Sequence, residues 1–344
     1  VAGISSFGIG GTNAHCIVQE APESVTEPGK RKYHIIPVSA KTETALNNLK
    51  LNLVDYIIKK ECTIADLSYT LLQGRKRFKY RSTVICTSQP GIIEKLSDAP
   101  VKTRQFENPR IVFLFTGQGS QYSMMAKGLY DEFPVFKEVL NKAFAIAKHD
   151  YNLDLHEILF SEKYKSEINN TEYAQPALFI IQFGMAKLLQ SFGISANALI
   201  GHSIGEVTAA CVSGLFSFED ALKLVITRGR LMQARKPGAM LSIQLPANKV
   251  KEILPERLDF ALQNAPDFSV VSGDFDDIKN FQIKLESEFP DIMVSQLNTS
   301  HAFHSRMMDP ALDEFRKEIA GISFNSISIP FISNTTGTWA NHQI

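Results

Sequence analysis

Excess charge, long apolar runs and clustered cysteines are all missing from this sequence, and each absence closes off a class of function. Lys+Arg and Asp+Glu both number 36, which leaves a net charge of zero over 344 residues. That balance gives no footprint for nucleic acid or an anionic membrane. No apolar run approaches the ~18 residues of a membrane span, and nothing reads as a signal peptide. The four cysteines, Cys16, Cys62, Cys86 and Cys211, form no C-x-x-C pair. They fit reduced thiols in a cytoplasmic protein and argue against a structural zinc, although two disulfides also satisfy the count. No lysine follows Gly117-Gln118-Gly119 at Walker spacing, so a P-loop is excluded. What remains is a globular composition, 44% hydrophobic and 21% charged, in a chain long enough for two or three domains.

Gly201-His202-Ser203-Ile204-Gly205-Glu206 is the stretch the chain is arranged around. An apolar run, 196–200, precedes it as a short strand, and small apolar residues, 207–212, follow as a helix. Strand, glycine-flanked turn and helix are the setting in which G-x-S-x-G becomes a nucleophile elbow. The bland alternative is a serine N-cap between two turn glycines. A second apolar run, Ile111 to Phe115, reads as a central strand of a parallel sheet and ends in the Gly117-Gln118-Gly119 turn. Loops at the carboxyl ends of such strands are where open α/β sheets bind ligands.

The rest of the chain falls into segments. A strand at 35–38, helices at about 42–60 and 63–74, and a strand at 82–86 make a small α/β unit. Leu46, Leu49, Leu53 and Ile57 set the period of its first helix. A basic run, Arg75 to Arg81, reads as a solvated face in preference to a docking patch. Helices are predicted at about 132–147, 176–190, 217–231 and 310–319. Between about 238 and 298 the pattern is β-α-β-β-α-β, a ferredoxin-like insertion. Beyond it stands His301-Ala302-Phe303-His304. Two histidines three apart could ligate a metal, but no third ligand accompanies them.

Two resemblances organise these segments. Ser5-Ser6-Phe7-Gly8-Ile9-Gly10-Gly11-Thr12-Asn13-Ala14-His15 closely resembles the last motif of a ketosynthase domain. The reactive cysteine and catalytic histidines of that family lie upstream of this motif, so His15 is given no catalytic role. Residues 1–22 are expected to be a ketosynthase tail, 23–105 the ketosynthase-to-acyltransferase linker, and 106–344 an acyltransferase domain whose end is cut short. The ordered set G-Q-G-S-Q, G-H-S-x-G-E, Arg228 on the next helix, the ferredoxin-like insert and H-A-F-H resembles the acyltransferase domain of modular polyketide synthases. The expected fold is α/β, with an α/β-hydrolase-like parallel-sheet core, the ferredoxin-like insert and a small α/β linker domain.

That resemblance implies roles. Ser203 is the nucleophile and His304 its general base. Gln118 and Ile204 supply the backbone N–H donors of an oxyanion hole. Arg228 holds the free carboxylate of the extender unit, while His202, His301, Phe303, Asn264 and Asn334 belong to the acyl pocket. A backbone carbonyl that orients the histidine is expected past Ile344. Malonyl-CoA is the implied substrate, since H-A-F-H goes with malonyl and Phe303 would crowd an α-methyl group. The phosphopantetheine thiol of an acyl carrier protein is the implied acceptor, and a ketosynthase in the same polypeptide the implied neighbour. No bound cofactor or metal, and no nucleic acid or membrane partner, is expected. The chemistry agrees: imidazole activates a serine hydroxyl, and a guanidinium binds a carboxylate through two parallel bonds. A serine hydrolase or thioesterase, or a catalytically inert docking fragment, are the alternatives.

Overall fold

The computed structural model describes residues 1–22, 31–60, 62–104 and 108–340. The expected polar connector at 23–30 and the expected boundary at 105/106 fall outside those residues. The chain divides into two compact units, Val1–Pro109 and Arg110–Ile344.

The first unit opens with an antiparallel hairpin of β1 (Ala2–Phe7) and β2 (Asn13–Val18), in which Ala2 faces Val18 and Phe7 faces Asn13. All of its residues are exposed, and His15 Nδ1 pairs with Ser5 Oγ at 2.8 Å. The sheet β3 (His34–Ala40), β4 (Tyr80–Cys86) and β5 (Lys102–Thr103) is antiparallel, with β4 in the middle. Alternation puts Ile36, Val38, Val84 and Cys86 on its buried face. Against it pack α1 (Glu43–Lys59), α2 (Ile64–Gln73) and α3 (Gln89–Leu96). Thr63 caps α2 by accepting from the Asp66 N–H at 3.0 Å, and the helix stops at Gly74 as its sequence predicts. Leu49 departs from its predicted stripe and is exposed, while Lys50 is buried with Nζ donating to the Ala99 carbonyl at 2.5 Å. The short α3, with Ser88 as N-cap and Pro90 in its first turn, is not predicted.

The second unit is built on a parallel sheet of β6 (Val112–Phe115), β7 (Ala198–Gly201) and, last among the described residues, β12 (Phe331–Ile332). The strand order is β12-β7-β6. Among the described residues β7 is the middle strand, and β6, expected to be central, pairs on one side. Phe113 and Phe115 are buried, whereas Val112 and Leu114 are exposed, so β6 is covered on one face only.

Helices α4 (Lys127–Glu132), α5 (Pro134–Tyr151), α6 (Leu155–Phe160) and α7 (Thr171–Ser191) lead from β6 to β7. Helix α5 answers to the helix expected at about 132–147 and opens on Pro134, whereas α4 before it is not predicted. Helix α7 begins before Pro176 and carries it inside, buried with Ala177, Leu178 and Phe179. After β7 come α8 (Ile204–Val212) and α9 (Phe218–Gln233). Gly229 lets α9 lie close on the start of α7, since a Cβ there would sit 2.9 Å from the Thr171 carbonyl. That approach sets Arg228 beside Gln175.

The insertion is β8 (Ala239–Ile243), α10 (Ala247–Ile253), β9 (Asp259–Ala265), β10 (Phe268–Gly273), α11 (Phe275–Glu288) and β11 (Val294–Gln296). Its antiparallel order, β11-β8-β10-β9, is ferredoxin-like as expected. Leu241, Ile243, Val271, Ile278, Phe281 and Leu285 fill its core, and Ile283 faces out. A 3₁₀ turn, Arg306–Ala311, leads into α12 (Leu312–Ile319). All four cysteines are unpaired, which removes the disulfide alternative.

Candidate active site

The turn between β7 and α8 has no room for a Cβ at either of its flanking glycines. A Cβ on Gly201 would overlap the backbone of Gly205 and Glu206, and one on Gly205 would overlap the Phe115 carbonyl. The chain can turn here only with glycine at both places. Ser203 itself takes φ +51° and ψ −114°, in the left-handed half of backbone space that side chains disfavour. The His202 N–H donates to the Phe115 carbonyl at 2.9 Å, which ties the elbow to β6.

Ser203 Oγ lies 3.1 Å from His304 Nε2. His304 also has positive φ, +58°, at the end of a loop fixed on both sides. The Gly238 N–H donates to the Ser300 carbonyl, and Ser305 Oγ donates to the Ala302 carbonyl at 2.6 Å. The His304 ring is open to the cleft mouth, yet protein encloses the rest of it. Burial chiefly, then the positive charge of Arg228, lowers its pKa to about 4. The imidazole is therefore neutral near pH 7, the form that can take a proton. The carbonyl expected to orient it falls beyond the described residues.

Ile204 opens α8, so its N–H has no carbonyl one turn back. Gln118 lies in the loop after β6, which passes so close beneath His202 that a Cβ on Gly117 would overlap the imidazole. Gln182 holds that loop by donating to the Thr116 carbonyl at 2.8 Å, and Gln118 Nε2 donates to Thr171 Oγ1 at 3.2 Å.

Arg228 is half-buried, and its Nη1 donates to Gln175 Oε1 at 2.7 Å. Burial lowers its pKa to about 10, opposed by Glu206, so it stays cationic at neutral pH. Gln175 is buried and was missed by sequence reasoning. Its signal was a lone amide at the head of the apolar run 176–181. His202 Nε2 meets Asn264 Oδ1 at 3.1 Å, so the core and the insert touch at the cleft.

Gln118, His202, Ser203, Ile204, Arg228, Asn264, Phe303 and His304 all line one cleft of about 90 Å³. Its apolar wall is Met232, Met240, Leu262, Val270 and Leu297, also missed from sequence. The space is well under the ~300 Å³ at which drug-sized ligands fit, and suits a short acyl group.

Two expected pocket residues are placed elsewhere. His301 is buried behind Phe303, stacked on it at 5.8 Å. Its ring nitrogens meet Ser300 Oγ at 2.8 Å and the Arg235 carbonyl at 3.1 Å. It backs the wall instead of lining it, and does not converge with His304 as a metal pair would. Asn334 lies under the elbow. Its Oδ1 accepts from the Ser203 N–H at 2.8 Å and its Nδ2 donates to the Gly201 carbonyl at 2.6 Å. Register is the reason: β12 pairs Ile332 with Ile200, which carries Asn334 to the turn and not to the cleft.

The arrangement can activate a hydroxyl, stabilise an oxyanion and hold an anionic group beside it. An acyl transferase domain model matches residues 112–343, and a model of the C-terminal region of CurL-like polyketide synthases matches 34–96. A phenolphthiocerol/phthiocerol polyketide synthase of Mycobacterium tuberculosis is 34% identical over 99% of this chain, which spans 24% of that relative. Mycoketide-CoA synthase of the same species is 36% identical over 98% of the chain, and the chain spans 8% of it. Among solved structures, the acyl transferase domain of ZmaA superposes with a TM-score of 0.85 at 34% identity, covering 91% of this chain and 74% of that one. A malonyl CoA-acyl carrier protein transacylase from Clostridium perfringens gives a TM-score of 0.62 at 28% identity, covering 69% and 75%.

Proposed function

The chain belongs to the acyl transferase domain family of polyketide synthases, and from that premise we propose that it loads a malonyl unit from malonyl-CoA onto an acyl carrier protein. The observation that carries this reading is Ser203 Oγ at 3.1 Å from His304 Nε2, in a cleft that also holds the Arg228 guanidinium.

The reaction is ping-pong. Ser203 Oγ attacks the thioester carbonyl while His304 Nε2 takes its proton. The oxyanion is met by the N–H groups of Gln118 and Ile204. As the C–S bond breaks, His304 returns the proton to the CoA thiolate, leaving a malonyl ester on Ser203. The phosphopantetheine thiol of the carrier then attacks this ester, giving its proton to His304, which passes it to Ser203 as the ester breaks. Side chains and substrate thiols carry every step, so the proposed cycle uses no resident cofactor. Arg228 binds the free carboxylate of the malonyl group, which acetyl lacks. Phe303, packed with Met240 and Val270, leaves little room for an α-methyl group. A ketosynthase of the same polypeptide is the proposed neighbour, and cytoplasmic CoA esters the proposed supply. No helix among the described residues is long and apolar enough to cross a membrane.

Intact-protein mass after brief exposure to malonyl-, methylmalonyl- or acetyl-CoA tests this. A malonyl adduct absent in Ser203→Ala is expected, favoured over methylmalonyl by about 10- to 200-fold, the range of one methyl in a pocket. Free malonate released in place of a stable adduct would instead mark a hydrolase. No adduct and no CoA release from the folded protein would mark an inert docking segment.

A further inference from the structure

We infer that Glu206 and Asn334 form a brace that holds the Ser203 elbow in its strained conformation and so aims the nucleophile, a positioning role that rests on the acyl-transfer reading above.

Asn334 bonds to the elbow at three successive places. Its Nδ2 donates to the Gly201 carbonyl before the turn, and its Oδ1 accepts from the Ser203 N–H at the turn. Its own backbone N–H donates to Glu206 Oε1, in the first turn of α8, at 2.8 Å. The primary amide offers a donor and an acceptor on one short planar group. An aspartate would face the Gly201 carbonyl with a second acceptor, and alanine would offer neither bond.

The brace is itself anchored. Phe331 and Ile332 pair with Leu199 and Ile200 of β7, the strand that delivers Ser203. The turn beyond them is closed by the Gly337 N–H on the Ser333 carbonyl at 2.8 Å and the Ser333 N–H on the Thr338 carbonyl at 2.9 Å. Asn334 is thus fixed by main-chain bonds on both sides before it touches the elbow. Glu206 closes the loop from the helix side. Burial raises its pKa, opposed by hydrogen bonds from the Asn334 N–H and the Ser333 side chain and by the Arg228 charge.

The Ser203 N–H is engaged by Asn334, so it is not available to an oxyanion, and the donors are left as Ile204 and Gln118. Asn334 acts through the backbone of the nucleophile and does not touch the acyl group. Both brace members, Glu206 and Asn334, are positioning residues.

Two rates on the whole chain test this: phosphonylation of Ser203 by a fluorophosphonate, which needs the Ser-His geometry but no carboxylate recognition, and malonylation by malonyl-CoA. Asn334→Ala is expected to slow both by about 10- to 100-fold, the scale of a small misplacement of reacting groups. The malonyl-CoA KM should be unchanged. Glu206→Ala should slow both in the same sense, and Glu206→Gln, which keeps an acceptor oxygen, should recover to within about threefold of the parent. The double variant should be no slower than Asn334→Ala alone, since the pair acts as a unit. A raised KM with unchanged phosphonylation in Asn334→Ala would overturn the brace and make Asn334 a substrate contact. Glu206→Gln as slow as Glu206→Ala would also overturn it. If Asn334→Ala fails to fold, the two Glu206 variants decide the matter. A parent that phosphonylates but never malonylates would sink the acyl-transfer reading alone, because the phosphonylation rates still judge the brace.

Discussion

The groove of the Val1–Pro109 unit, about 440 Å³, is several times larger than the cleft at Ser203, about 90 Å³, yet it holds none of the marks of a reaction centre. Val38, Leu71 and Phe78 line it beneath Arg75, Arg77 and Arg81. Two of its arginines bond to nearby backbone: Arg75 donates to the Gly74 carbonyl and Arg81 to the Phe78 carbonyl. Among the described residues, every non-glycine position with positive φ lies in the other unit, and two of them, Ser203 and His304, line the small cleft. Groups from the loop after β6, the head of α8, the middle of α9, the insert and the H-A-F-H loop converge there. Volume shows where an apolar surface folds over itself. Strain, convergence of distant segments and displaced pKa values show where chemistry is arranged.

The contrast can be broken most sharply at Arg228. Arg228→Ala should slow malonylation by about 100-fold or more, from loss of charge-assisted bonds of roughly 1.5–3 kcal/mol each, and leave acetylation little changed. Time courses of adduct mass for the two thioesters check it. Equal losses for both would mean that the cation does not meet the extender's carboxylate.

A smaller effect is expected from pH. The folded pKa of His304 is depressed, so the neutral imidazole persists below pH 6.5, where an ordinary histidine would already be protonated. The acid limb of kcat/KM for malonylation should therefore lie below 6.5, and it reports the free enzyme. A limb at 6.5 or above would show that the cleft does not isolate this ring.

The smallest effect belongs to the large groove. Arg77→Ala should leave the malonylation rate within about twofold of the parent, as surface changes remote from a site do. A clear loss there would undo the contrast.

What is legible in the sequence is what local sterics dictate. The elbow glycines are needed by a turn a few residues long, and the G-x-S-x-G string carries that need openly. The succession of strand-like and helix-like runs in 239–296 yields the ferredoxin-like order, in which β8 and β10 bury one face on the insert's own core and the other on the cleft wall. Edges are harder. Strand β6 is as apolar as a central strand, yet among the described residues it pairs only with 198–201, a neighbour that adjacent sequence does not announce. Pro176 reads as a helix opener, but the helix begins at Thr171, because tertiary packing overrides a local start signal. The Arg228–Gln175 bond joins two helices brought together by Gly229, and neither residue announces the other. Asn334 is legible as a site residue, but its orientation depends on the register of β12 against β7, which no local pattern encodes.

That register also has a consequence in time. Ser203 and Asn334 are 131 residues apart in the chain. At a synthesis rate of ~5–20 residues per second, the nucleophile emerges roughly 7 to 26 s before the residue that steadies it. For that interval the nascent chain carries a serine, its glycines and its strand with no partner at 331–334. The nucleophile is therefore steadied only once residues 331–334 have been made and have docked on β7.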